Sequence, residues 1–359
     1  MLIVSHARGD DVRFTKPQSV LLDLARGVSA QIVLFGHVTS LAGLQNPGHL
    51  YQNLGVVVFF VLSGLLVTHS VLNKPKEYGF ADYMIDRGAR IFVPYVPAII
   101  FIGLCSIMLH LGGPTDPVTV VSNLLMLEDF PLGRYVSWFP EFDRIGTGRP
   151  LWSVAVEWWF YIAAAAFYFV GRLPRLYWLL APPALIVAIY NATIGALAIT
   201  WIAGAVIALL FFRLPRLSQT ETAMLFVATL SLCGLRLFLV RWNFYDLQFA
   251  LLLAISLVAA LKLVENWNWL EQISRPIAGL AAFSYTLYLT HNTVIDALRP
   301  LHGLVYVIVG FSAANLIAIA MWWLFERHHK AVAEMVRSKL RSCAMHSTHG
   351  GSPAAGGEF

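Results

Sequence analysis

The sequence predicts an all-α polytopic membrane protein, a bundle of about ten transmembrane helices with the N- and C-termini in the cytoplasm. Three observations carry this expectation. Only 13% of the 359 residues are charged and 58% are hydrophobic, whereas about a quarter of a soluble domain is charged. Mean hydropathy is +0.67. The apolar residues come in blocks near the roughly 20 residues that cross a hydrocarbon core. Lipid tolerates only helices and closed barrels, and the short alternating segments of a barrel do not appear.

The blocks place spans at 19–41, 51–72, 91–111, 151–170, 176–192, 196–212, 222–240, 247–264, 278–298 and 303–326. A basic arm over 1–17 precedes the first, with no small-residue cleavage site, so that span reads as a retained helix rather than a signal peptide. Residues 18–330 form one membrane domain without a polar linker. Within it, 112–150 make a long outer loop carrying Asp116, Glu128, Asp129, Glu141 and Asp143. A loop of this length forms a lid or acceptor-binding surface, or else a plain connector. Residues 331–359 form a tail that is first amphipathic and basic, then rich in Ser, Gly and Ala and flexible.

With the N-terminus inside, eighteen of the 25 Lys and Arg fall on the inner side and six on the outer, with Arg26 inside the first span. This asymmetry sets the orientation and explains the basic pI without a nucleic-acid partner. The cysteines, Cys105, Cys233 and Cys343, are odd in number and lack CxxC spacing. Neither a disulfide framework nor a metal site is expected.

Polar groups in spanning helices are costly, so each is a functional candidate. Arg26 and His37 are 11 residues apart, which leaves about 20° between them on one helix face, about 16 Å apart. Asp23, one turn before Arg26, is a candidate partner, and a structural ion pair with a His37 that merely bonds a neighbouring helix is the alternative. Glu157, entering from outside in Leu151–Tyr161, sits about 9–10 Å below the outer surface, near the depth of His37. A carboxylate there is protonated or partnered, and a histidine is a suitable partner. Trp152, Trp158, Trp159 and Tyr161 fit an interfacial aromatic belt. His291, on the run Ser284–Asn292, falls at the same level. Ser63 and Gly64 read as close-packing residues. Arg87 and Arg90, one turn apart on the inner side, suit either a phosphate or ordinary inner-face anchoring.

Five elements appear in order: Arg26 with His37, Phe59–Gly64, Arg87/Arg90/Pro94, Trp152–Tyr161 and Ser284–His291. Together, from about residue 18 to 326, they resemble the integral-membrane acyltransferase-3 family, whose members O-acylate lipopolysaccharide, exopolysaccharide, Nod factors and some antibiotics. The resemblance implies ten helices in a bacterial inner membrane, an acyl-CoA donor (acetyl-CoA by default) and roles for Arg26, His37 and Glu157. The acceptor it implies is an extracytoplasmic glycan or lipid-linked saccharide. The second-helix run departs from the family in having Val56 and Val57 where a polar residue is common, and the arginine stretch of the third span is thinner.

On this footing the CoA phosphates are expected at Arg87 and Arg90, with the pantetheine arm beside Arg26. His37 takes the proton of the attacking hydroxyl, or carries the acyl group, with Glu157 on its other nitrogen. His291, Trp152, Ser63 and Tyr288 are the expected acceptor contacts. A secondary transporter with His37, Glu157 and His291 as a proton relay is the competing reading, although no paired broken helices mark two repeats.

Overall fold

The computed structural model describes residues 13–44, 49–193, 196–214, 217–239 and 245–349, and among these every regular element is a helix. Helix α1 spans Lys16–Leu41, opened by a capping box in which Thr15 and Gln18 bond each other's backbone. Helices α2 (Leu50–Leu72) and α3 (Phe80–Met108) follow, then the short α4 (Pro117–Leu124). Next come α5 (Leu151–Tyr168), α6 (Tyr177–Thr193), α7 (Leu197–Leu210), α8 (Gln219–Leu239) and α9 (Leu247–Leu263). The chain ends in α10 (Ser274–Ala282), α11 (Ser284–Ala297), α12 (Gly303–Leu324) and α13 (His329–His349).

Among the described residues seven helices are long and apolar enough to cross a membrane, and α6 with the segment Leu197–Arg213 makes an eighth if that pair, bent by 99°, is one span. The expected spans each have a helix, but α6, α7 and α11 have only 17, 14 and 14 residues, short of the roughly 20 that a hydrocarbon core requires. Outward-facing side chains of the long helices are apolar and exposed, among them Ile100, Leu104, Val227, Phe238 and Leu316, as a lipid-facing belt requires.

The short helix α11 explains its own composition. Twelve of its residues, from Ser284 and Thr286 to Asp296, are buried, and it packs on α1, α3 and α12. It therefore faces protein instead of lipid, so Thr, Asn, His and Asp are tolerated where hydrogen bonds meet them. Its N-terminus is held by Glu326, which accepts from Thr286 N (3.1 Å) and Oγ1 (2.6 Å). Helices α2 and α7 meet through Gly64 and Gly204. A Cβ on Gly64 would lie 1.9 Å from the Trp201 carbonyl oxygen, and one on Gly204 2.0 Å from that of Val61.

The 112–150 segment is built into the bundle. Asp116 caps α4, Asn123 bonds the backbone of Asp143 and Ile145, and Trp159 Nε1 donates to the Met126 carbonyl (2.7 Å). Thr147 bonds Thr293, and Asn292 donates to the Thr147 carbonyl, tying the loop to α11. At the opposite end of the bundle, α13 packs on α3, with Arg337 bridging Asp82 (2.8 Å) and Asp86 (2.6 Å). The tail is thus helical to His349, and 350–359 lie outside the described residues.

Candidate active site

A cavity of about 460 Å³ opens beside α13 and runs into the bundle between α1, α2, α3, α5 and α11. Its mouth is basic: Lys74, Arg87, Arg90, Lys330 and Arg337 line it, with Arg26 further in. Several of these are already committed. Lys74 and Arg337 both hold Asp86, and Arg90 Nη1 pairs with the buried Glu326 at 2.7 Å. Arg26 bonds Asp23 at 2.9 Å, as expected. Arg87 has no carboxylate partner among the described residues, and its guanidinium stands 6.0 Å from the Tyr161 ring.

Three buried donors on residues lining this cavity, Arg26 Nε, Arg87 Nε and the Tyr285 hydroxyl, have no partner among the described residues. Buried polar groups are rarely left so, and orphaned donors beside a cavity fit a ligand rich in acceptors.

Deeper in, Glu157 accepts from Ser63 and from the Tyr161 hydroxyl, while Trp201 Nε1 donates to Ser63 Oγ at 3.1 Å. Ser63 therefore serves polar contacts, and Gly64 alone serves close packing. Tyr161, expected in an aromatic belt, is buried against the cavity and holds Glu157. At the inner end Tyr288 shares a 2.5 Å hydrogen bond with Ser153.

The expected bond between Glu157 and His37 is not formed. The neighbour of His37 is His291, with ring centroids 5.1 Å apart, and Tyr288 lies 6.1 Å from His291 on the cavity side. Helix rise fixed the depths of His37, Glu157 and His291, but depth leaves the direction around each helix axis open. The cavity wall on α5 carries Glu157 toward Ser63 and Tyr161. Trp152 points to the other side of α5, where it lines a second cavity with Tyr245.

His291 is fully buried. Its Nδ1 lies 2.9 Å from the Leu287 carbonyl, which can only accept, so in the neutral ring Nδ1 carries the proton and Nε2 is a bare acceptor. That Nε2 has no partner among the described residues. Arg149 and His49 are the further charged or titratable groups whose fields reach His37. The pair thus offers two imidazoles, one with its tautomer fixed by the backbone, able to take up and return a proton. Among the described residues no group of three His, Cys, Asp or Glu is arranged to hold a metal.

Sequence reasoning missed Glu326, a single carboxylate at the end of an apolar block, where a solvated cap is the usual reading, and named Glu128 only as one acidic residue of the outer loop; both are buried.

A multi-pass helical bundle with a basic cavity leading toward a pair of histidines, one of them fully buried, has the makings of a membrane transferase. A family model described as an acyltransferase domain matches residues 20–326. The chain belongs to the acyltransferase-3 family and is a membrane acyltransferase. No match is found among curated proteins or among solved structures.

Proposed function

We propose that the protein transfers an acyl group, acetyl by default, from cytoplasmic acyl-CoA to a hydroxyl of an extracytoplasmic exopolysaccharide or lipopolysaccharide in a bacterial inner membrane. The observation that carries this reading is the cavity with its orphaned donors, which points from a basic mouth toward Tyr288 and the His37–His291 pair. With the mouth in the cytoplasm, the CoA phosphates meet Arg87 and Lys330, and the pantetheine arm passes Arg26 and Tyr285. The thioester arrives beside Ser153 and Tyr288.

His37 then accepts the hydroxyl proton as the acceptor oxygen attacks the thioester carbonyl. The C–S bond breaks, and the imidazolium returns its proton to the leaving thiolate. His291 presents its bare Nε2 beside His37 as an acceptor for the imidazole or the incoming hydroxyl, in the orienting place the sequence reading gave to Glu157. Glu157 instead orders Ser63 and Tyr161 along the donor channel. An acyl-histidine route would use the same two imidazoles in two steps.

Purified protein incubated with acetyl-CoA, a saccharide acceptor and a thiol-reactive dye tests this. Release of CoA in the wild type and its loss in His37→Ala at unchanged thermal stability is the expected result. Equal release by the variant removes His37 from the chemistry.

A further inference from the structure

A second cavity of about 240 Å³ lies on the other side of α5 from the first. Trp152, Ala155, Val156 and Trp159 line it, a spacing that defines one helix face. Ser153, Val154, Glu157 and Tyr161 on the opposite face line the donor cavity. The 112–150 segment supplies Glu128, Asp129, Arg134 and Arg144, and Tyr190 and Tyr245 complete the wall.

The polar groups here differ in kind from those of the donor cavity. Asp129 binds both Arg134 and Arg144, and Arg134 Nη1 also donates to the Tyr190 hydroxyl at 2.7 Å. Both guanidiniums are therefore fixed in place by contacts within the protein, with one carboxylate shared between two positive charges. The orphaned atom is instead a carboxyl oxygen. Glu128 is 2% exposed, its Oε1 accepts from Tyr95 at 2.8 Å, and its Oε2 has no partner. Such an atom calls for a hydroxyl or similar small donor. In the same cavity wall, Trp152 and Tyr245 stand with ring centroids 5.8 Å apart and 44° between their planes. Aromatic faces sharing a cavity with fixed polar groups match the two sides of a pyranose, whose C–H face is apolar and whose rim is hydroxylated.

We propose that this cavity is a saccharide subsite, holding one sugar unit of the acceptor between Trp152 and the Glu128–Asp129–Arg144 wall while another unit presents its hydroxyl to the histidine pair. The inference rests on the acyl-transfer reading and adds where the acceptor is held. Burial pushes the Glu128 carboxyl up to about 8, so at neutral pH it is protonated and able both to donate to and to accept from a hydroxyl.

The test uses full-length protein in a detergent without a sugar headgroup. Saturation-transfer NMR is run against maltose, cellobiose, chitobiose and digalacturonate. At least one is expected to bind the wild type and to bind at least tenfold more weakly to Val156→Trp, which fills the cavity, and to Glu128→Ala. The Glu128→Gln variant, which keeps donor and acceptor capacity, is expected to stay within about threefold of the wild type. CoA release from acetyl-CoA to hydroxylamine, a small acceptor that needs no sugar subsite, should survive in all three variants. No binding by the wild type, or undiminished binding by both Val156→Trp and Glu128→Ala, overturns the subsite. Loss of hydroxylamine-dependent release in the wild type strikes the acyl-transfer reading instead.

Discussion

Replacing Glu326 with alanine is expected to destabilise the protein by about 3 kcal/mol, the lower end of the range for leaving a buried charge unpaired. The figure follows from three contacts. Glu326 is fully buried; it pairs with Arg90 at 2.7 Å and takes two hydrogen bonds from Thr286 at the start of α11. Without the carboxylate, Arg90 keeps its charge beside the Tyr285 ring, 5.6 Å from the guanidinium, with no counter-ion. The side chain of Arg90 is 27% exposed, so water moderates the loss, which places the estimate at the low end. Thermal or denaturant unfolding in detergent, monitored by tryptophan fluorescence, reads the effect, and a double-mutant cycle with Arg90→Met isolates the pair. If Glu326→Ala costs the same in the Arg90→Met background as in the wild type, the ion pair does not anchor the cavity mouth.

Arg87→Gln should raise the acyl-CoA requirement by about 10- to 100-fold, the value of a charge-assisted contact, with unfolding unchanged, because Arg87 has no protein counter-ion to lose; Arg90→Gln should act mainly on stability. Saturation curves and melts of both variants separate the two. Gly64→Val should cost about 3 kcal/mol or more, because its Cβ would overlap the Trp201 carbonyl at 1.9 Å and neither helix backbone can yield cheaply; a wild-type melting temperature would contradict the packing. Glu128 binds its proton more tightly folded than unfolded, with its carboxyl at about 8 against an ordinary value of 4.5. As pH rises through that window the unfolded state sheds the proton first, so stability falls by up to about 1.4 kcal/mol per pH unit. Glu128→Gln should flatten this slope between pH 4.5 and 8, and parallel slopes would contradict a buried, protonated carboxyl.

The helical fold was legible because apolar blocks of spanning length have few alternatives, and the polar positions His37, Arg26, Glu157 and His291 stood out against them. Which of these groups meet was not legible. A helix drawn from sequence has a rise but no known rotation against its neighbours, so Glu157 was paired with His37 when its face of α5 turns to Ser63 and Tyr161. Arg90 read as a phosphate ligand because its partner Glu326 lies 236 residues away, a separation no local pattern reveals. The 112–150 segment left two readings open, and only the bonds from Asn123, Thr147 and Trp159 show a folded structure. The brevity of α11 likewise makes sense only once its burial on α1, α3 and α12 is seen.

The most direct measurement is an experimental structure with a non-hydrolysable acetyl-CoA thioether bound. The account predicts phosphates against Arg87 and Lys330, the pantetheine arm contacting Arg26 and Tyr285, and the acetyl carbonyl beyond Tyr288 within reach of His37. An acetyl end that stops beside Glu157 with Tyr288 and Ser153 still closed over it, or a ligand bound outside this cavity, would contradict the claim that the histidine pair receives the donor.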